Sequence, residues 1–271
     1  MTAAAVSGGA HRRFVAPPRE AVDARVFAHP LFAGLAGFED LLHGPCWLDV
    51  AALDARLQLP ALRLVEQDAA LLADGLHYEQ RIAAGRLATR ARNWHDLFNA
   101  LVWARYPHIK RALNTRQCLH IDTHGKGARN RAQAALTQFD ESGVVVRVQD
   151  ERILAAWDQH AWRTVFDDSA WQHGAISVAA VFGHALMEQA LVPGHRLVGK
   201  CLVVRGGNGA DVLAQVATAI NAGAVLSDPL QLRPLPLLGI PGWSDAATAV
   251  PTDDERYYRP LREGRCYPPP L

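Results

Sequence analysis

The stretch Asn93–Tyr106, NWHDLFNALVWARY, constrains the fold more than any other part of the chain. Trp94, Leu97, Phe98, Leu101 and Val102 recur at helical spacing and predict a helix with one face in a core. Asn93 stands where its side-chain oxygen can accept an orphan backbone N–H, and Asp96 sits in the first turn, where the helix dipole favours negative charge. Pro107 ends this helix and suits the first turn of the next, expected over His108–Thr115.

The rest of the chain reads as shorter pieces. Leu48–Leu57 and Ala61–Leu72 predict short helices, the second opened by Pro60. Residues 120–133, HIDTHGKGARNRAQ, read as a polar loop. The segment 135–148 reads as a β-hairpin, with strands Leu136–Phe139 and Val144–Val148 around an Asp140–Gly143 turn. Asp150–Phe166 and Ser177–Leu191 carry helical spacing, the latter apolar nearly all round. Leu197–Arg205 reads as a strand, Gly209–Ala222 as an amphipathic helix and PLPLLGIPGW as extended chain. Together these give an α+β class: one mixed domain over residues 21–265, mostly helical, with a β-hairpin and a small sheet, behind a mobile tail at residues 1–20.

Composition removes several functions. No window approaches the ~18 uninterrupted apolar residues of a membrane helix. The first 20 residues lack the apolar core of a secretory signal. Cys46, Cys118, Cys201 and Cys266 form no CxxC pair, which argues against a disulfide framework or a cysteine zinc site and points to a reducing, cytoplasmic setting. The net charge of +1 hides an asymmetry: residues 81–131 hold 11 basic and 2 acidic residues, a net of +9. Such an excess can attract an anionic partner, whereas folding can also scatter it over several faces.

Three groups could carry chemistry. On the helix 93–106, His95, Asn99 and Trp103 share one face, Asp96 lies beside them, and Arg90 and Arg92 lie just upstream. His184 and Glu188, four apart in an apolar stretch, need a partner if buried: an ordinary hydrogen bond, a cation or a divalent metal. Asp140 and Glu141, at the expected turn, are residue types that serve as acid and base and that turns also accept. His120, Asp122 and His124 form a looser set that alternates like a chelating loop. Gly206-Gly207-Asn208-Gly209, between a strand and a helix, lacks the Lys-Ser/Thr of a phosphate-binding loop. No GxSxG elbow and no cysteine beside a histidine offers a nucleophile.

Four blocks occur together and in order: RNWHDLFNALVWARYPHIKRALN (Arg92–Asn114), ALTQFDESGVVV (Ala135–Val146), VFGHALMEQAL (Val181–Leu191) and LPLLGIPGW (Leu235–Trp243). In them the chain resembles the bacterial family known as domain of unknown function 3025, over about residues 30 to 260. The resemblance implies no activity. It does place His95, Asp96, Asn99, Asp140, Glu141, His184 and Glu188 inside the family's pattern, and leaves the His120–His124 set outside it.

Besides a structural or assembly role, in which these polar groups merely satisfy one another, two functional expectations follow. One is a hydrolase-like enzyme for a small anionic substrate. His95, Asp96, Asn99, Asp140 and Glu141 would be catalytic, Arg90, Arg92, Lys110 and Arg111 would bind the anion, and water would be activated either by a divalent metal on His184 and Glu188 or by His95 as general base with Asp96 orienting it. The alternative is a non-catalytic module that grips nucleic acid, a nucleotide or an acidic protein through residues 81–131.

Overall fold

In the computed structural model of the chain, the described residues are 14–125, 127, 129–207, 209–245 and 247–271. They form a mixed α+β fold with two small sheets. After three 3-10 turns come helices α1 (Glu39–His43) and α2 (Val50–Leu57), strand β1 (Arg63–Glu66), helices α3 (Ala69–Leu72) and α4 (Tyr78–Ala83), and strand β2 (Arg86–Thr89). β1 and β2 pair in parallel. The helix expected over Ala61–Leu72 is thus a strand followed by one helical turn. Leu62 and Leu64 are buried on either side of exposed Arg63, a period of two. The Asp54 carboxylate accepts the Leu64 N–H at 2.8 Å.

Helix α5 (Trp94–Arg105) lies where the spacing predicts it, with the Asn93 side chain accepting from the Asp96 N–H. Phe98, Leu101 and Val102 on it are fully buried. Helix α6 begins at Pro107 but runs on to His124, well beyond Thr115. The polar residues 120–124 are therefore its last turn, because polarity does not stop a helix that lacks a breaker before Gly125.

The expected hairpin is not there. Helix α7 (Arg131–Ser142) occupies its first strand and its turn, and strand β3 (Gly143–Val148) follows without a loop. A capping box starts α7, with Asn130 and Gln133 each accepting the other's backbone N–H. Leu136 and Phe139, read as strand residues, lie three apart on its buried face.

Helices α8 (Glu151–Asp158), α9 (Trp162–Val165) and α10 (Asp168–Gln172) lead to strand β4 (Ile176–Val181) and helix α11 (His184–Ala190). The single helix expected over Ser177–Leu191 is thus a strand plus a short helix. Val181, Val178 and Ile176 lie opposite Val144, Val146 and Val148 of β3, so β-branched pairs across the ladder decide it. Strand β5 (Val198–Val204), helix α12 (Gly209–Asn221) and strand β6 (Arg233–Pro236) complete the fold, the first two close to their expected places. Asn208 of the glycine-rich turn lies outside the described residues. The larger sheet has the order β4-β3-β5-β6, antiparallel except between β3 and β5.

Two glycines join the sheet to the helices. Both Phe182 N–H and Gly183 N–H donate to the Gly143 carbonyl at 3.1 Å. A Cβ on Gly183 would stand 2.6 Å from the Ser142 Cα, and one on Gly143 would stand 2.1 Å from the Phe139 carbonyl oxygen. The end of α7 and the start of α11 meet only because neither residue has a side chain.

Of the expected tail, residues 1–13 lie outside the described residues. Arg19 is buried. Its guanidinium lies 4.6 Å from the Trp47 ring and 4.8 Å from the Trp94 ring, and it donates to the Gly44 and Leu41 carbonyls.

Gly183→Ala should destabilise the protein by about 1–3 kcal/mol through overpacking. Gly209→Ala, where an added Cβ meets nothing within 4 Å, should not. Urea denaturation of the two variants beside wild type checks this.

Candidate functional site

Three helices converge at the junction of these glycines. His95 is the second residue of α5, His184 the first of α11 with Glu188 one turn on, and Asp140 and Glu141 lie in the last turn of α7. His95 stands between the two α11 residues. Its Nδ1 is 2.9 Å from Glu188 Oε2, and its Nε2 is 3.1 Å from His184 Nε2. A carboxylate only accepts, so His95 Nδ1 carries the proton toward Glu188. Behind His184, its Nδ1 lies 3.9 Å from Asp140 Oδ2, too far for a hydrogen bond; it is buried with no partner at hydrogen-bond geometry among the described residues, and it faces the Asp140 backbone carbonyl.

Below Asp140 the polar string continues. Lys110 Nζ donates to Asp140 Oδ1 at 2.5 Å and to Asn99 Oδ1 at 2.8 Å, and Asn99 Nδ2 donates to the Tyr78 hydroxyl at 2.9 Å. The Lys110 ammonium also lies 5.5 Å from the Trp103 ring centre. The side chain of Lys110 is only 4% exposed, so this charge is balanced by Asp140 and not by solvent. Burial acts to raise the Asp140 carboxyl, but the Lys110 ammonium bonded to it holds it below the usual carboxylate value. Burial drives His184 the other way, down to about 3, which keeps its imidazole neutral.

The string opens into a cavity of about 740 Å³ whose wall includes His95, Glu188, Glu141, Arg90, Arg92 and residues 14–20. The side chains of His95 and Glu188 are 28% and 17% exposed. Glu141 is exposed as a residue, yet burial of its carboxyl, helped by the charge of Asp140, raises it above the ordinary glutamate value; His95, Arg129 and Lys110 pull the other way.

The remaining candidates divide. Asp96 does not orient the His95 ring. Its carboxylate takes the Arg90 backbone N–H at 2.6 Å and the Arg90 guanidinium at 2.8 and 2.9 Å. It therefore braces Arg90 at the cavity edge, and Glu188 is the carboxylate that meets His95. Asn99 and Lys110 lie beneath the site, out of the cavity. Arg111 is remote: it donates to the Pro60 carbonyl and lines a different groove, between α6 and α12. His184 and Glu188 reach opposite nitrogens of the same ring and so do not converge on one point. Among the described residues no group of three or more His, Cys, Asp or Glu is arranged to hold a metal ion. His120 and Asp122 are engaged elsewhere, with Asn130 and Gln80 respectively.

One acid had no signal in the sequence. Glu79, next to Tyr78 on α4, is pushed up to about 7 by burial, against the Asn114 amide that donates to it at 2.7 Å. Its local sequence, HYEQ, shows only a helix start.

A family model described as Protein of unknown function (DUF3025) matches residues 62–262. The chain belongs to this family. Every residue of the string, from Tyr78 to Glu188, falls inside that span, whereas the cavity wall formed by residues 14–20 falls outside it. No curated protein matches the chain, and no solved structure does. Among the described residues no helix is long and apolar enough to cross a membrane.

Glu79 has a consequence for stability. Its carboxyl is raised in the folded chain, from 4.5 to about 7. The folded state therefore holds a proton that the unfolded state has released, and the associated stability, present below the lower value, is lost as pH rises through the upper one. Glu79→Gln should remove this loss. The difference in urea midpoint between variant and wild type should grow in the variant's favour from about pH 5 to about pH 8.

Proposed function

We propose that this protein is an acid–base enzyme of the hydrolase type, acting on a small anionic substrate in the cavity beside His95. The observation that carries the reading is the pairing of two glutamates in unlike surroundings on one cavity wall. Glu188 accepts a hydrogen bond from His95. Glu141 has no hydrogen bond to lower its carboxyl, and burial raises it. Two carboxyls whose surroundings differ in this way suit a base and an acid in one reaction. Glu188 would take a proton from water or from the substrate, and Glu141 would deliver one to the leaving group. His95 orients Glu188 and is not itself the base, because both of its ring nitrogens are engaged.

Arg92 supplies charge for an anion at the same wall, and Arg90, paired with Asp96, supplies N–H donors. Arg90 is fixed by Asp96, so it can meet a substrate with little further ordering. Arg92 adopts a left-handed backbone, φ 53°, a strained state that functional sites often contain. The rest of the basic stretch supports a small site over a nucleic-acid surface. Arg81 and Arg86 pair with Asp74, Lys110 with Asp140, and Arg131 with Asp228. Three carboxylates from outside the stretch, Asp74, Asp140 and Asp228, thus offset three of its nine excess charges.

A panel of phosphate esters, carboxylic esters and amides, assayed with and without added divalent metal, tests this. Glu141→Gln and Glu188→Gln should each lower kcat about 10²–10⁴-fold on any substrate turned over. Arg92→Ala should raise KM with little change in kcat. Unchanged kcat in both glutamate variants overturns the assignment.

A further inference from the structure

The two histidines sit nose to nose, and the protons available to them can be counted. His184 is neutral, so it carries one ring proton, on either Nδ1 or Nε2. Suppose it is on Nε2. That proton then points at His95 Nε2, which accepts it. His184 Nδ1 becomes a bare lone pair, buried and without a partner, 3.9 Å from a carboxylate oxygen of Asp140. Lys110 keeps Asp140 ionised. A lone pair facing this negative charge is repelled, and a buried acceptor left unsatisfied costs further stability.

Suppose instead that the proton is on Nδ1. It then faces the Asp140 charge, an attractive arrangement even beyond hydrogen-bond length. His184 Nε2 is now the bare atom, and at 3.1 Å it can only accept from His95 Nε2. His95 already uses its Nδ1 proton on Glu188. It must therefore carry protons on both nitrogens.

We propose that His95 is held as an imidazolium between Glu188 and His184, and that Asp140 is the positioning residue that enforces this by fixing His184 in its Nδ1–H form. The charged groups around the pair agree. From α11, Glu188 bonds His95; from α7, Asp140 and Glu141 both interact with His95, and Asp140 also with His184. Lys110 of α6, bonded to Asp140, and Arg90 and Arg92 on the same cavity wall are the opposing cations. Asp140 does not reach the cavity. It acts on the cavity wall through two rings, and so sets an imidazolium–carboxylate pair, His95 with Glu188, into that wall beside Arg90 and Arg92. This goes beyond the acid–base reading and does not depend on it, because a pocket that only binds anions would hold the same two rings.

The test reads protons, not turnover. Long-range ¹H–¹⁵N spectra of uniformly labelled protein at about pH 7 report which ring nitrogens carry hydrogen. His95→Gln and His184→Gln assign the signals. Wild type should show both His95 nitrogens protonated, with His184 protonated at Nδ1 alone. In Asp140→Asn the side chain no longer presents a negative charge to His184 Nδ1 but the positive edge of an amide. His184 should then switch to Nε2–H, and His95 should lose its Nε2 proton. Asp140→Glu, which keeps the carboxylate, should retain the wild-type pattern. A wild-type His95 with one ring proton overturns the proposal, as does an Asp140→Asn spectrum equal to wild type. Bare Nε2 atoms on both rings around a bound metal ion also overturn it. If Asp140→Asn does not fold, the wild-type spectrum decides alone.

Discussion

The contact between Gly143 and Gly183 is the constraint on which the candidate site rests. It closes the end of α7 onto the start of α11 through the Gly143 carbonyl, which accepts two backbone N–H groups. Side chains at either position would force these backbones apart. With the contact made, the residues next to each glycine are drawn together. Asp140 and Glu141 precede Gly143, and His184 follows Gly183. The β3–β4 ladder holds the arrangement from the other side, with its valines opposite one another.

The polar string beneath the cavity is costly to bury, and its composition shows how the cost is met. Lys110 is matched by Asp140, and its remaining protons find Asn99 and the face of Trp103. Asn99 passes a hydrogen bond to Tyr78. Among the described residues two buried atoms of the string lack a partner: Trp103 Nε1, and His184 Nδ1 at the 3.9 Å gap to Asp140. A nearly satisfied network with an open link is where a protonation state is decided, since one proton's position there fixes the next. The cavity side differs: Glu141 is exposed and Glu188 half-buried, and both can meet a solute.

The candidate residues were legible as types but not as a geometry. His95, Asp140, Glu141, His184 and Glu188 stand out because charged or polar side chains interrupt apolar stretches, and all five meet. The roles drawn from adjacency did not carry over. Asp96, next to His95 in sequence, serves Arg90, while Glu188, 93 residues away, serves His95. Neighbours on a helix point about 100° apart, so adjacency in the chain is a poor guide to contact. Glu79 left no trace because its altered carboxyl comes from burial by α6, which local sequence does not encode.

The sequence by itself determined α5, with its Asn93 cap and its core face, the strand and amphipathic helix that follow residue 197, and the mixed α+β class. These depend on spacing and caps, which act within one or two turns. Only the tertiary structure decided that Leu136–Ser142 is the end of a helix, that Ile176–Val181 is a strand, and that two imidazoles face each other between the carboxylates of Glu188 and Asp140. Apolar runs of that length suit either state, and the choice falls to partners far along the chain. Here these are the valines of β3 and two glycines small enough to touch.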